Sequence, residues 1–329
     1  MVIVITSTLL TMNHSKPGQP SNPIQIGINE WAGYDPFIIA DKLDFFTSNN
    51  VSAQVIRFSS TVDSIEALKK GEVHGGGFTL DEAFSLIDSG FNGKIVLIID
   101  YSMGGDVLIG QQDITHVSQL IGKTVGYEGT VVGEFLLERA LDSNKVKKKD
   151  IKLINISADN WFATFKDEKV DALVCFNPIA TQLLNQQQGN VLFSSADMPF
   201  EIIDVLLFSD DFYEDNQPAI SRIIEAWFDA VNYADKELEA AASIVATEKD
   251  ISVEQYKAGR ADFVTPSLEL NLEIMDARSE ENIYKYSQVV VDFMLDKSLL
   301  LKRIATTDLF HSGALKAVDT HLYSQGEGE

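Results

Sequence analysis

A chain of 329 residues that is 45% hydrophobic is long enough to bury one or two substantial cores. Its formal net charge of −23 argues against neutralising a nucleic-acid backbone and against docking on anionic lipid through a basic face. Its single cysteine, Cys175, excludes an intrachain disulfide and argues against a cysteine-based zinc site.

The chain opens with MVIVITSTLLTM, an apolar run too short to span a bilayer as a helix. It is similar to the apolar part of an export signal without the basic lead-in, and LLTM is similar to a bacterial lipobox with Met12 in the place of the lipid-bearing cysteine. An ordinary N-terminal strand is the alternative. With the polar stretch that follows, residues 1–22 are expected to add nothing to the folded core.

From there strands and helices alternate. PIQIGI reads as a strand and PFIIADKLDFF as a helix with one apolar face. VSAQVIRF is a strand. TVDSIEALKKG is a helix opened by a Thr or Asp cap and closed by Gly71. KIVLIID is a buried strand. This order predicts βαβ units and a mostly parallel sheet.

The grammar then recurs. QIGINEWAGYDPFIIADKL and TVGYEGTVVGEFLLERAL each place a glycine, Gly27 or Gly126, in a strand that runs through a loop into a helix. EALKKGEVHGGGFTLDEA and ATFKDEKVDALVCFNPIA each end a charged helix and enter a strand at Val73 or Val170. The repeat predicts two α/β lobes. Residues 23–104 and 205–305 are assigned to the first lobe and 105–204 to the second, with crossings near 100–110 and 200–208. Residues 306–329 are assigned to a C-terminal tail, whose closing YSQGEGE is expected to lack fixed structure. AISRIIEAWFDAVNYADKELEAAASIVATE has a 3.6-residue period and is expected to pack back on the first lobe.

Open parallel sheets bind ligands beyond the carboxyl ends of their strands. The candidate loops are therefore NEWAGYD, FTLDEA, DYSMGGD, YEGTVVG, CFNP and SSADMPFEIID. They carry the rings of Trp31, Tyr34, Phe78, Tyr101, Tyr127 and Phe176, and the acids Glu30, Asp35, Asp81, Glu82, Asp100, Asp106, Glu128 and Asp204. Thr79, Ser102, Thr130 and Asn177 add short donors and acceptors, and none of these stretches contains Lys or Arg. Rings with carboxylates suit a ligand bearing a protonated or hydrogen-donating nitrogen.

Each feature has a plainer reading. Trp31 or Tyr34 could be packing where loop meets core. Asp81 and Glu82 could cap the helix that begins beside them, and Asp100 could cap a turn. Asp204, between Ile203 and Val205, is harder to dismiss, because a carboxylate in an apolar strand needs a partner. In GTVVGEFLLERA a helix N-terminus offers free N–H groups to an anion, which is the contrary reading of the ligand's charge. Cys175 sits in an apolar run and reads as a small buried hydrophobe. The five histidines show no metal-ligand spacing, and no phosphate loop is present. The GGG at 75–77 is explained by close packing.

Taken in order, IGINEWAGYDPFIIADKLDFF, GGGFTLDEA, VLIIDYSMGGDVLIG, LIGKTVGYEGTVVGEFLL, KVDALVCFNP and LFSSADMPFEIIDVL resemble the solute-binding proteins of the nitrate, sulfonate and taurine ABC importers and the related pyrimidine-precursor binders. The resemblance covers about residues 24–300. It implies a type II periplasmic-binding fold of class α/β, with two lobes joined by two crossing strands around a hinged cleft. It carries Trp31, Tyr34, Thr79, Asp81, Tyr101, Thr130 and Asn177 over as pocket residues, with Asp204; Ser102 joins them from the loops themselves. Relatives that bind sulfonates commonly place a basic side chain at the cleft, and none is evident here. The cysteine-rich motif of the fungal pyrimidine synthases is absent, and these loops hold no nucleophile–base pair.

The expectation is thus an exported, monomeric protein, periplasmic or at the cell surface. It captures a small molecule, by preference an amine or pyrimidine-like compound, for an ABC permease, without metal or cofactor. The alternatives are an oxyanion ligand, a membrane sensor as partner, or an enzyme on the same fold acting on a carboxylated substrate.

Overall fold

The computed structural model describes residues 22–318. The apolar opening, with its export-signal or lipid-anchor reading, and the terminal YSQGEGE lie outside the described residues.

The chain begins with β1 (Ile24–Ile28), whose isoleucines are buried, and turns through Ala32–Tyr34 into α1 (Asp35–Lys42) and α2 (Phe45–Ser48). One continuous helix was expected here. It breaks at Asp44, which takes a left-handed φ of 56° and lets α2 turn away. After β2 (Ala53–Arg57), α3 (Thr61–Lys70) is capped by Ser60, which accepts the Asp63 N–H at 3.1 Å, so the cap is neither Thr61 nor Asp63. Gly71, at φ 71°, closes it. β3 (Gly75–Thr79), α4 (Leu80–Asp88) and β4 (Gly93–Ser102) complete the first passage.

Between Ser102 and Asp106 the chain passes to a second sheet. There it forms β5 (Asp106–Gln111), β6 (Thr124–Tyr127), α5 (Val131–Ser143), β7 (Lys152–Asn155), α6 (Trp161–Lys166), β8 (Ala172–Phe176), α7 (Ile179–Asn185) and β9 (Gly189–Ser194). It returns through β10 (Ile203–Ser209), followed by α8 (Asp210–Lys236), α9 (Leu238–Lys249), α10 (Val253–Gly259), β11 (Phe263–Val264), α11 (Leu268–Ile274) and α12 (Ile283–Asp296).

The first sheet has the order β11-β4-β10-β3-β1-β2 and the second β7-β6-β8-β5-β9. β1 runs parallel to β2 and β3, but β10 lies antiparallel between β3 and β4. A mostly parallel sheet was expected, and the sheet is mixed because β10 enters from the other lobe and must run back against its neighbours. β5 does the same in the second sheet, antiparallel to β8 and β9.

The core of the first lobe is sealed by α8, where Trp227 is fully buried and its ring centroid lies 4.4 Å from that of Phe37 in α1. α12 reaches the other lobe, stacking Phe293 edge-on to Phe135 of α5 at 5.0 Å and pairing Lys297 with Asp142 at 2.5 Å. Beyond it, Phe310 bridges Ile95 of β4, and Leu315 is fully buried, so residues 309–315 belong to the packed structure. Among the described residues no helix is long and apolar enough to cross a membrane.

Candidate functional site

The loop after β1 is fixed from beneath. Asn29 accepts the Trp31 N–H at 2.8 Å and donates to Thr61 Oγ1 at 2.7 Å. Lys249, arriving from the end of α9, pairs with the buried Asp35 and donates to the Glu30 carbonyl at 2.9 Å. With its ends held, the loop can present two large rings. The Trp31 indole N–H donates to Asp100 Oδ2 at 3.1 Å, and the Tyr34 hydroxyl donates to Asp204 Oδ1. Gly33 is required there, since a Cβ would lie 1.8 Å from Asp100 Oδ2. Gly77 likewise leaves room for the Tyr34 ring, which a Cβ would meet at 2.6 Å.

The sheet brings the acids together. In the register of β3, β10 and β4, Asp204 stands opposite Thr79 on one side and Asp100 on the other. α4 begins at once after β3. Glu82 caps it by accepting the Thr79 N–H at 3.0 Å, while its other oxygen has no partner. Of the two acids read as possible caps, Glu82 therefore does both jobs. Asp81 is fully buried with neither oxygen bonded.

Two adjoining cavities lie between the lobes. One is walled by Asn29, Trp31, Tyr34, Thr61, Thr79, Glu82 and Asp204. The other is walled by Glu128, Thr130, Gly133, Leu136, Trp161, Val174 and Cys175. Asp106, Val132 and Phe176 border both. Across the cleft the Trp31 and Phe176 rings meet edge to face, 6.0 Å between centroids.

Of the residues expected in a pocket, Trp31, Tyr34, Thr79, Thr130 and Asp204 line these cavities. Asp81, Tyr101, Ser102 and Asn177 do not. Tyr101 packs edge-on against Phe200, and Ser102 shares a hydrogen bond of 2.7 Å with Ser195. Asn177 accepts from the Thr181 N–H at 3.0 Å and donates to Asp262 at 2.5 Å, tying the second lobe to the segment before β11. Glu82, Asp106, Glu128 and Phe176 stood among the rings and acids of the cleft loops. Thr61 and Trp161 were missed although the same rule reaches them: each opens the helix after a parallel strand, β2 or β7, whose loop was not among the candidates.

Among the described residues no Lys, Arg or His lines either cavity. Burial therefore acts on the acids with little to oppose it. It pushes Asp100 up to about 8, Asp81 and Glu128 to about 7, and Asp106 to about 6. Asp204 and Glu82 are also held well above the usual carboxylate range, first by burial and then by the charges of Asp100 and Asp81 respectively. Tyr34 is raised by burial and then by Asp204, so it stays a donor. Protonated, these acids are neutral and can donate hydrogen bonds; ionised, they favour a positively charged partner. Cys175 is buried, and burial pushes its thiol up, which fits a wall residue rather than a nucleophile.

Trp31 is 4% exposed and also packs on Phe263 at 5.7 Å, so the ring is packing and cavity wall at once. Trp31→Phe is expected to lower the unfolding free energy by about 1–3 kcal/mol, chiefly by orphaning Asp100. Chemical denaturation checks it, and an unchanged midpoint would show that the indole N–H bond contributes nothing.

The model of the NMT1-like family matches residues 17–247. No curated protein matches the sequence. Among solved structures, the alkanesulfonate-binding protein SsuA of Xanthomonas axonopodis pv. citri, bound to MOPS, is 16% identical with a TM-score of 0.74, over 89% of this chain and 99% of that one. The zinc-bound ligand-binding component of an ABC-type import system from Staphylococcus aureus is 15% identical with a TM-score of 0.75, over 91% and 99%. The periplasmic nitrate-binding protein NrtA of Synechocystis PCC 6803 is 13% identical with a TM-score of 0.72, over 94% and 91%.

Proposed function

The chain belongs to the NMT1-like family, and on that premise we propose that it is an exported solute-binding protein that closes on a small, positively charged nitrogen compound. The observation that carries this reading is the wall of buried acids, facing cavities that no basic side chain lines. Closure would bury the ligand between the lobes and shape a surface for a membrane partner, an ABC permease before a sensor. The absence of a nucleophile–base pair around the cavities among the described residues supports carriage over catalysis.

A second reading has its own support. Thr130, Val132 and Gly133, at the head of α5, border the cavities, and two of the similar structures are an alkanesulfonate-binding and a nitrate-binding protein. A helix N-terminus contributes about 0.3–2 kcal/mol toward an anion. Against several unpaired carboxylates that is too little, so the cation is preferred.

A thermal-shift panel of amines, pyrimidines, amino acids, sulfonates and nitrate tests the class directly, since a ligand at 100 times its Kd stabilises by about 2.7 kcal/mol. Asp204→Asn is then expected to weaken an amine by at least about tenfold, or roughly 1.4 kcal/mol. Tighter binding of nitrate or a sulfonate by that variant would replace the cation with an oxyanion. Turnover of the bound compound would turn the carrier into an enzyme.

A further inference from the structure

Each of the two cavities is lined by a buried acid with an unpartnered oxygen, Glu82 from the first lobe and Glu128 from the second. In the first lobe Glu82 keeps one buried oxygen without a partner, and Asp204 stands beside it. The Thr79 hydroxyl, 8% exposed, lines the same cavity. In the second lobe Glu128 is 4% exposed and, among the described residues, no basic side chain pairs with it; the Thr61 N–H, at the start of α3, is close enough to favour its charged form. Between these poles the shared wall is Val132 and Phe176, with Asp106 beside them.

We propose that the ligand is a slender dication, an α,ω-diamine, with one ammonium at Asp204 and Glu82, the other at Glu128, and its carbon chain against Val132 and Phe176. This rests on the cation reading above and narrows it. A monocation seated at Asp204 would leave Glu128 buried and unpaired, where a charge is unfavourable. A second ammonium gives it a charge-assisted bond. The two poles also explain closure. A molecule held at one end by each lobe binds the closed form better than the open one, and only such a difference can shift the equilibrium. The Trp31 and Phe176 rings meet edge to face across the cleft, an apolar surface that suits a carbon chain.

Titration calorimetry of the whole protein with 1,4-diaminobutane and 1,5-diaminopentane, against n-butylamine and n-pentylamine, tests this. Each diamine is expected to bind at least about tenfold more tightly than the monoamine of equal length. Glu128→Gln conserves the shape of the side chain, and its melting curve confirms folding. In that variant the preference for the diamine over the monoamine should shrink by about tenfold or more. Equal binding of diamine and monoamine by the native protein would overturn the dication while leaving an amine carrier standing. So would a preference that survives Glu128→Gln. Failure of every amine, with binding of nitrate or a sulfonate, would overturn both readings.

Discussion

Lys249→Met is expected to cost about 3–5 kcal/mol of stability, because it leaves a buried carboxylate without its counter-charge. The Lys249 and Asp35 side chains are 2% and 3% exposed. Even beside Lys249, burial holds Asp35 up to about 6. The lysine also donates to the Glu30 and Trp31 carbonyls, at 2.9 and 3.3 Å, so the variant releases the loop that carries Trp31 and Tyr34. Ligand binding should fall with stability. Urea unfolding measures the loss, and adding Asp35→Leu to Lys249→Met should recover part of it. A loss below about 1 kcal/mol would mean that water reaches Asp35 and the pair acts like one at the surface.

The ligand-free protein is also expected to lose stability as pH rises from about 4 to about 8, with each pKa displaced by one worth about 1.4 kcal/mol. The sign follows from the acids of the cleft. Their folded values lie above their unfolded ones, at about 8 for Asp100, about 7 for Asp81 and Glu128, and about 6 for Asp106. Across that window the native state binds more protons than the unfolded chain. Stability is therefore full below the unfolded values and is lost as pH passes through the folded ones. Asp35 acts in the same direction. His74, held below its usual range by partial burial, acts in the opposite one, as do Asp171, Glu269, Asp276 and Asp292, whose hydrogen bonds hold them below the usual carboxylate range and whose effect falls at the acid end of the window. Melting curves from pH 5 to 8 check the slope, and a saturating amine should flatten it. A rise in melting temperature over this range would show that the acids are ionised and solvated without ligand.

Local pattern was enough for the elements and their order. Alternating apolar residues in IQIGI, the run KIVLIID and the 3.6 period after Pro218 each report burial on one face, and burial follows from a few neighbouring residues. The recurrence of strand, loop and helix in the two halves made the two-lobed plan readable, and with it the loops that hold the rings and acids. A broken helix at Asp44 and a cap at Ser60 escaped, since either depends on one residue's dihedral or one hydrogen bond.

The partners of the charges were decided by tertiary structure alone. Asp204 meets Tyr34 from 170 residues away, and it meets Asp100 only because β10 returns between β3 and β4. Lys249 reaches the Glu30 carbonyl across 219 residues, so the base that steadies the ligand loop lies in a helix no motif connects to it. Asp81 and Glu82 are neighbours in sequence, yet only Glu82 lines a cavity, because successive residues of a helix point about 100° apart and the packing of α4 selects which one faces the cleft. The acid content of the cleft was written in the sequence. Which carboxylates are left without a partner was settled by where distant segments pack.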